Sequence, residues 1–255
     1  MDQGIYQAIV DDMTFSYSRL SCFSDCRYQW YLKYIYECED KDMFYASYGK
    51  FIHKLIEKYY NKELSKDELL ISFLTGFESE VKGKRPSEDI VNSYIQKGSD
   101  YFRNFEPFPF EAVAVEKRVE FEIDGHKILG FIDYVGKKDG KYYIVDNKSR
   151  DLKPRSNRKK PTLKDQELDS MLKQLYIYSE AIKQEYGEYP VGLCFNCFKS
   201  GVFIEEPFNI ETHKSVMEWA EKQISKIRNN TEWYPDLEYF KCRFLCGVHD
   251  ECCYY

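Results

Sequence analysis

The chain has 255 residues, of which 43% are hydrophobic and 31% are charged, so it can bury the interior of one large domain. No run of residues approaches the roughly 18 apolar positions that a membrane-spanning helix needs, which excludes an integral membrane protein of that type. The net charge of −6 argues against a protein that coats nucleic acid over its whole surface, although it is compatible with a local basic groove.

The first third of the chain has the spacing of apolar residues that is typical of helices. Ser16 or Ser18 can cap one of these helices, and Pro107 and Pro109 follow the last of them. The N-terminus shows neither the basic nor the apolar region of a signal peptide, so we expect a cytoplasmic protein. The predicted helices cover residues 16–36, 48–59, 66–80 and 88–105.

The middle of the chain is rich in β-branched and aromatic residues and in turn signals, which predicts strands. A long helix, a strand pair and a further helix follow. This order predicts a mixed α/β domain in which helices cover the sheet. The predicted strands are 112–123, 127–136, 141–147, 190–198 and 202–206, and the predicted helices are 165–186 and 211–229.

Asp139 and Gly140 are a strong signal for a two-residue type I′ hairpin. With these residues in the turn, strand pairing places Asp133 directly opposite Asp146. Directly opposed residues have Cβ atoms about 4.5–5.5 Å apart on one face of a sheet. Two carboxylates so close would repel each other, and a hard cation such as Mg²⁺ or Mn²⁺ removes that conflict. The hairpin therefore predicts a divalent metal site.

Strand alternation places Lys148 on the same face as Asp146 and turns the side chain of Asn147 away, although the backbone carbonyl of Asn147 can still bind metal. The set suits phosphodiester hydrolysis, because the metal activates water and Lys148 can orient that water and stabilise charge on the phosphate. A surface hairpin with an ordinary Asp–Lys ion pair is the alternative. The apolar neighbours of Asp133 favour the metal site, since a buried carboxylate is costly without compensation.

Gln174 and Tyr178 lie four residues apart on the apolar stripe of the long predicted helix. Buried polar groups need partners, so they are either satisfied core groups or residues that reach a DNA phosphate or the attacking water. His53 borders the apolar stripe of its own helix, where a histidine is usually a packed core residue.

A dense run of positive charge follows the hairpin. It is either a solvated loop or a surface that contacts DNA phosphates, and its position after the predicted metal site makes the second alternative as strong as the first. The residues with a predicted role in DNA binding are Arg150, Lys153, Arg155, Arg158, Lys159 and Lys160.

Nine cysteines in a chain without a secretion signal are expected to be metal ligands or buried small residues and not a disulfide framework. Cys194 and Cys197 lie on a predicted strand and would point to opposite faces, so we predict that they serve packing.

Four motifs, taken together, resemble those of the PD-(D/E)XK nuclease superfamily, and specifically of the branch that contains RecB-type nuclease domains and the CRISPR-adaptation exonucleases. The motifs occur in the order of that family and, with the cysteines, span nearly the whole chain. Ile132-Asp133 stands where the superfamily has a proline-aspartate pair. The matching segments are Gly49 to His53, Gly130 to Asp133, Asp146 to Lys148 and Gln174 to Tyr178.

The resemblance implies a restriction-endonuclease-like mixed sheet flanked by helices. It implies that His53 joins Asp133 and Asp146 as a metal ligand, that Lys148 is catalytic, and that Gln174 and Tyr178 line the site. Glu116 matches an acidic position of the family whose role is less well defined.

The same branch holds a [4Fe–4S] cluster with one N-terminal cysteine and three near the C-terminus, which implies that the tail closes a cluster. The gap between the first two tail cysteines is one residue longer than usual in the family. Cys253 could replace the adjacent Cys252, and Cys22, four residues before Cys26, could also face the cluster. Zinc on Cys242, Cys246, His249 and Cys252 is the alternative, but it leaves the N-terminal match unexplained. The matching cluster residues are Cys26, Cys242, Cys246 and Cys252.

We therefore expect a single nuclease domain with a mainly helical region (1–110), a catalytic sheet core (111–210) and a helix with an Fe–S tail (211–255). The expected activity is that of a DNA exonuclease dependent on Mg²⁺ or Mn²⁺ that acts on single strands or DNA ends. No P-loop motif is present, so the chain has no motor of its own, and a complex with a helicase or with CRISPR-adaptation proteins is compatible with this function. The alternative is a non-catalytic Fe–S subunit that binds DNA ends within a larger complex.

Overall fold

The computed structural model describes residues 2–254. Its elements alternate much as the sequence predicts, with helices first, then three strands, a long helix, two strands and further helices. The helices are α1 Gln3–Asp11, α2 Tyr17–Asp25, α3 Arg27–Tyr34, α4 Phe44–Tyr60, α5 Lys66–Glu80, α6 Glu88–Arg103, α7 Leu163–Tyr186, α8 Ile210–Arg228 and α9 Tyr239–Phe244. The strands are β1 Glu111–Ile123, β2 His126–Lys138, β3 Lys141–Lys148, β4 Gly192–Cys197 and β5 Val202–Pro207, and a short 3₁₀ helix covers His249–Glu251.

The five strands form one mixed sheet in the order β1-β2-β3-β4-β5. Neighbouring strands are antiparallel except for β3 and β4, which are parallel and are joined by α7. A parallel pair needs a long crossover connection, and the 24-residue α7 supplies it. The predicted mixed α/β architecture is confirmed.

Helices bury both faces of the sheet. The larger core cluster joins residues of α1, α2, α3, α7 and α8 to one face. On the other side, α4, α5 and α6 share an aromatic cluster, and a smaller group around Phe108, Phe110 and Tyr134 packs beside Tyr60 of α4. In the described part of the chain, no helix is long and apolar enough to cross a bilayer.

The β2–β3 hairpin has the predicted register. Asp139 and Gly140 form the turn with φ values of 51° and 78°, the combination that a type I′ turn requires. Paired residues run from Lys138↔Lys141 to Tyr134↔Val145, which is one step short of Asp133 and Asp146.

The alternation of β2 breaks at Asp133. Ile132 packs in the core beside α7, whereas Tyr134 packs on the opposite side of the sheet with Phe108. Residues two apart on a regular strand share a face, so the strand rotates at Asp133. The facing residue of β1 is Glu116, between the pairs Val115↔Tyr134 and Lys117↔Ile132, and it has a left-handed φ of 46°. The local twist turns both acids out of the regular pattern of the sheet.

One predicted helix is wrong. The segment 16–36 is divided at Cys26, whose extended backbone (φ −162°, ψ 107°) ends α2 and begins α3. Ser16 caps α2 by accepting a hydrogen bond from the Arg19 N–H, as the sequence suggested. The division matters because it exposes the Cys26 Sγ to the C-terminal tail, with which it shares a pocket.

Candidate metal centre

Three potential metal ligands converge from three elements. His53 comes from α4, Glu116 from β1 and Asp133 from β2, and donor atoms of the three lie within 4.8 Å of one another. Within residues 2–254 no other group of three histidine, cysteine or acidic residues meets that spacing. One imidazole nitrogen and carboxylate oxygens are suitable ligands for Mn²⁺ or Mg²⁺.

Asp133 is held by two contacts. Its Oδ2 accepts a hydrogen bond of 2.7 Å from the backbone N–H of Asn147 and lies 3.3 Å from Nδ1 of His53. The side chain of Asp133 is only 11% exposed, so these contacts fix its orientation. The predicted partnership of His53 and Asp133 is present in the geometry, and the role of both in metal binding stays a prediction.

Asp146 lies beside this set and is engaged by Lys148 and Gln174. The Lys148 ammonium is 2.7 Å from Asp146 Oδ2 and donates to Gln174 Oε1 at 2.9 Å, while Gln174 Nε2 donates to Asp146 Oδ1 at 3.0 Å. The predicted common face of Asp146 and Lys148 is confirmed. Both oxygens of the buried Asp146 carboxylate are thus engaged, Oδ2 by the Lys148 ammonium and Oδ1 by the Gln174 amide.

The acids of the centre are hard to ionise together. Burial raises the pKa of Asp146 to about 6, against the opposing charge of Lys148. Burial, with the nearby carboxylates of Asp133, Glu57 and Asp146, raises the pKa of Glu116 to about 7. Such shifts arise where carboxylates share a desolvated site, and a bound divalent cation would reverse them. The donor set therefore fits a divalent metal ion.

Tyr178 completes the wall of the centre. Its hydroxyl stays protonated because burial and the charge of Asp146 raise its pKa. A Cβ on Gly130 would lie 2.4 Å from the Tyr178 ring, so only glycine lets β2 approach α7 this closely. The close packing of β2 against α7 therefore requires glycine at this position of the Gly130 to Asp133 motif.

An open cleft of about 530 Å³ leads to these residues. One wall is the N-terminal segment, in which Phe15 pairs with β2 through hydrogen bonds of 2.8 Å to Lys127 and Leu129. The side chains of Phe131 and Arg19 also line the cleft, and Phe131 is 49% exposed. The cleft thus presents aromatic, cationic and acidic groups to one ligand.

The basic segment after β3 is mostly exposed, but its members differ. Arg155 donates to Glu206 and to Asp169, each at 2.7 Å, so two carboxylates neutralise its charge. The loop is anchored by Asp165, whose carboxylate accepts hydrogen bonds from the backbone and hydroxyl groups of Ser156 and Thr162. The exposed basic residues besides Arg155 are Arg150, Lys153, Arg158, Lys159 and Lys160.

The structure brings the four predicted cluster cysteines to one pocket. Cys26, Cys242, Cys246 and Cys252 line it together with His249, and the backbone N–H groups of Gln29 and Asp236 each donate to Cys26 Sγ at 3.4 Å. Cys253 instead contacts the Tyr28 hydroxyl at 3.3 Å. Cys194 and Cys197 are buried on opposite faces of β4, which confirms their predicted packing role.

Sequence reasoning from residues alone missed two features of the centre. Glu116 was indicated only by family resemblance, because its strand neighbours show no visible break of pattern. Asn196, a buried amide in the otherwise apolar β4, contacts Asn147 and was not considered. The polar residue in the run GLCFNCF was the signal that could have found it.

A solved structure shares the fold of this chain. A protein of Eubacterium rectale suggested to be an exonuclease has a TM-score of 0.54 and 15% identity, covering 98% of this chain and 90% of that one. The structure of SSO0001 has a TM-score of 0.33 and 17% identity over 80% of this chain and 95% of that one. No curated protein matches the chain.

The family model of the PD-(D/E)XK nuclease superfamily matches residues 14–253. This range contains the three converging side chains, the Asp146–Lys148 pair and the cysteines of the tail. The chain therefore belongs to the PD-(D/E)XK nuclease superfamily.

Proposed function

We propose that the protein is a divalent-metal-dependent DNA exonuclease that acts on single strands or DNA ends. The observation that carries this proposal is the convergence of His53, Glu116 and Asp133 beside the buried Asp146–Lys148 pair. Keeping like charges together in a desolvated pocket costs stability. A site that had lost its catalytic function would gain nothing from that cost. Similarity to a suggested exonuclease supports the choice of exonuclease activity.

The residues of the centre would have two roles, metal binding and positioning of the attacking water. His53, Glu116, Asp133 and Asp146 would hold Mg²⁺ or Mn²⁺, and the backbone carbonyl of Asn147 is a further candidate ligand. Such a cation lowers the pKa of water and polarises a phosphate oxygen. Lys148, oriented by Gln174, can position the attacking water and stabilise charge on the phosphate.

The cleft and the basic segment that follows β3 support a nucleic-acid strand as the substrate. The N-terminal segment paired with β2 narrows the approach from one side. Tyr178 keeps its proton and can donate to a phosphate, while the exposed basic residues of 150–160 can contact the backbone further along the strand.

The test is degradation of end-labelled oligonucleotides with Mg²⁺ or Mn²⁺. We expect Lys148→Ala to lower the rate by at least about 100-fold, as the loss of a group that stabilises the transition state does. Lys222→Ala, which removes an exposed lysine of α8, is the matched control and should leave the rate unchanged. Equal rates for Lys148→Ala and wild type would refute the mechanism, and absence of cleavage by wild type would favour the non-catalytic DNA-end-binding alternative.

We also propose that the cysteine pocket holds a [4Fe–4S] cluster on Cys26, Cys242, Cys246 and Cys252. The N–H groups directed at Cys26 Sγ suit a thiolate ligand. Zinc fits less well, because tetrahedral ligands at a Zn–S distance of about 2.3 Å lie about 3.8 Å apart. No such compact set occurs in the described tail, and both ring nitrogens of His249 already contact Cys246 O and Asp250 Oδ1.

A further inference from the structure

Two buried amides face each other across the parallel strands β3 and β4. Asn147 and Asn196 are paired in the register and are only 4% and 6% exposed. Nδ2 of Asn196 donates to Oδ1 of Asn147 at 2.7 Å and to the Tyr101 hydroxyl at 2.8 Å. Asp146, the neighbour of Asn147, points to the α7 side of the sheet, where Gln174 contacts it. The amide pair is therefore on the side of the sheet away from α7.

This amide pair is connected to the metal centre through the backbone. The N–H of Asn147 donates to Asp133 Oδ2 at 2.7 Å, beyond the last paired residues of the β2–β3 ladder. Because the β2–β3 pairing ends at Tyr134 and Val145, that N–H is oriented by the pairing of β3 with β4, in which Asn147 faces Asn196. The bond from Asn196 holds the Asn147 side chain, and the Tyr101 hydroxyl holds Asn196 in turn.

The energetics favour a positioning role over a packing role. Apolar residues occupy Val145↔Cys194, the preceding pair on the same side of the sheet. An apolar pair at 147 and 196 would avoid the cost of burying amides. A satisfied polar network in a dry interior fixes geometry more strongly than apolar packing does. Such a network would help Asp133 to keep its carboxylate oriented toward a bound cation.

We infer that Asn196, supported by Tyr101, is a positioning residue that fixes Asn147 and, through its N–H, the metal-binding orientation of Asp133. The inference rests on the proposed function of the centre as a divalent metal site. Neither Asn196 nor Tyr101 belongs to the set of converging ligands, so their effect on the metal passes through Asn147.

The experiment is titration of the full-length protein with Mn²⁺ in the absence of DNA, followed by calorimetry. Asn196→Leu keeps the branched shape of the side chain but removes the amide, and we expect Mn²⁺ affinity to fall about 10–100-fold, as it does when an outer-shell partner is lost. Tyr101→Phe removes a single hydroxyl and should cause a smaller loss. Cys194→Ala, on the same strand and side of the sheet, is the matched control that reduces packing and should leave Mn²⁺ affinity unchanged.

A double-mutant cycle tests whether Asn196 acts on the metal centre through Asn147. In an Asn147→Leu background, Asn196→Leu should cause no further loss of Mn²⁺ affinity, because the amide it supports is gone. An undiminished affinity of Asn196→Leu, or an equal loss in both backgrounds, would overturn the inference while leaving the metal site intact. Failure of the wild type to bind Mn²⁺ would instead refute the proposed function on which it rests. Melting curves in EDTA establish that each variant is folded, and Tyr101→Phe serves if Asn196→Leu is not.

Discussion

At the scale of single residues, Glu116 has the most perturbed environment among the acids of the centre. Its backbone adopts a left-handed conformation that costs a residue with a Cβ roughly 1–2 kcal/mol. Its carboxyl is also surrounded by Asp133, Glu57 and Asp146, which together with burial raise its pKa to about 7. Strain and repulsion at one position are costs to stability, and they fit the metal-binding role that we propose for Glu116.

The raised pKa of Glu116 predicts how the stability of the metal-free protein depends on pH. Without metal, the folded protein binds the Glu116 proton more tightly than the unfolded chain, whose carboxyl has the ordinary pKa of 4.5. The associated stability is present below pH 4.5 and is lost as pH rises through about 7. Glu116→Gln removes this titration. The melting temperature of the variant in EDTA, relative to that of wild type, should therefore rise between pH 5 and about 8.

The same variant should bind metal more weakly. We expect Glu116→Gln to lose at least the roughly 10–100-fold in Mn²⁺ affinity that accompanies loss of an outer-shell partner, because a direct ligand is neutralised. Wild-type affinity should rise between pH 6 and about 8 as Glu116 deprotonates. A flat pH profile of Mn²⁺ binding, measured by calorimetry, would exclude Glu116 as a ligand.

At the scale of elements, the contact between β2 and α7 depends on Gly130. Gly130→Ala would place a Cβ 2.4 Å from the buried ring of Tyr178, so the ring must move and the cleavage rate should fall. Gly49→Ala in α4 is the matched control, since its Cβ would meet Ser149 Oγ at an ordinary 3.6 Å. That control should keep activity and gain about 0.5–1 kcal/mol in unfolding free energy, because alanine favours a helix. Equal cleavage rates for the two variants would contradict this account of Gly130.

The basic segment 150–160 gives a separate prediction. For single-stranded DNA, each phosphate contact contributes about 0.7 to the dependence of log affinity on log salt concentration. Alanine at Arg158, Lys159 and Lys160 should therefore lower that slope by about 2 in fluorescence anisotropy without metal. Arg155→Ala should lower it less, since Glu206 and Asp169 neutralise its charge. A slope that responds only to Arg155 would reverse this assignment.

The success of prediction differed between elements for physical reasons. The register of the β2–β3 hairpin followed from Asp139 and Gly140, because a two-residue turn leaves one pairing. The division at Cys26 did not follow, since no glycine or proline marks it. The position of Glu116 beside Asp133 depends on a local rotation of two strands, and that rotation arises from tertiary packing that local sequence patterns do not encode.

At the scale of the whole molecule, the cysteine pocket joins the N-terminal helices to the tail. A cross-link between residues so far apart in the sequence stabilises by on the order of 5 kcal/mol in the simple chain model. We expect anaerobically purified wild type to contain about four iron atoms per chain. Cys26→Ala should lose iron, absorb little visible light and melt at a lower temperature, while Cys197→Ala, buried in β4, keeps its iron. Colourless wild type with one equivalent of zinc would contradict the cluster.

The left-handed Glu116 has a consequence for protein engineering. Glycine tolerates this backbone conformation without cost, and it would also remove a carboxylate from a crowded acidic pocket. A library screened for heat resistance alone should therefore enrich replacements at position 116 before most others. Selection for heat resistance would then remove a residue that we propose to bind metal, so it needs a parallel selection for activity.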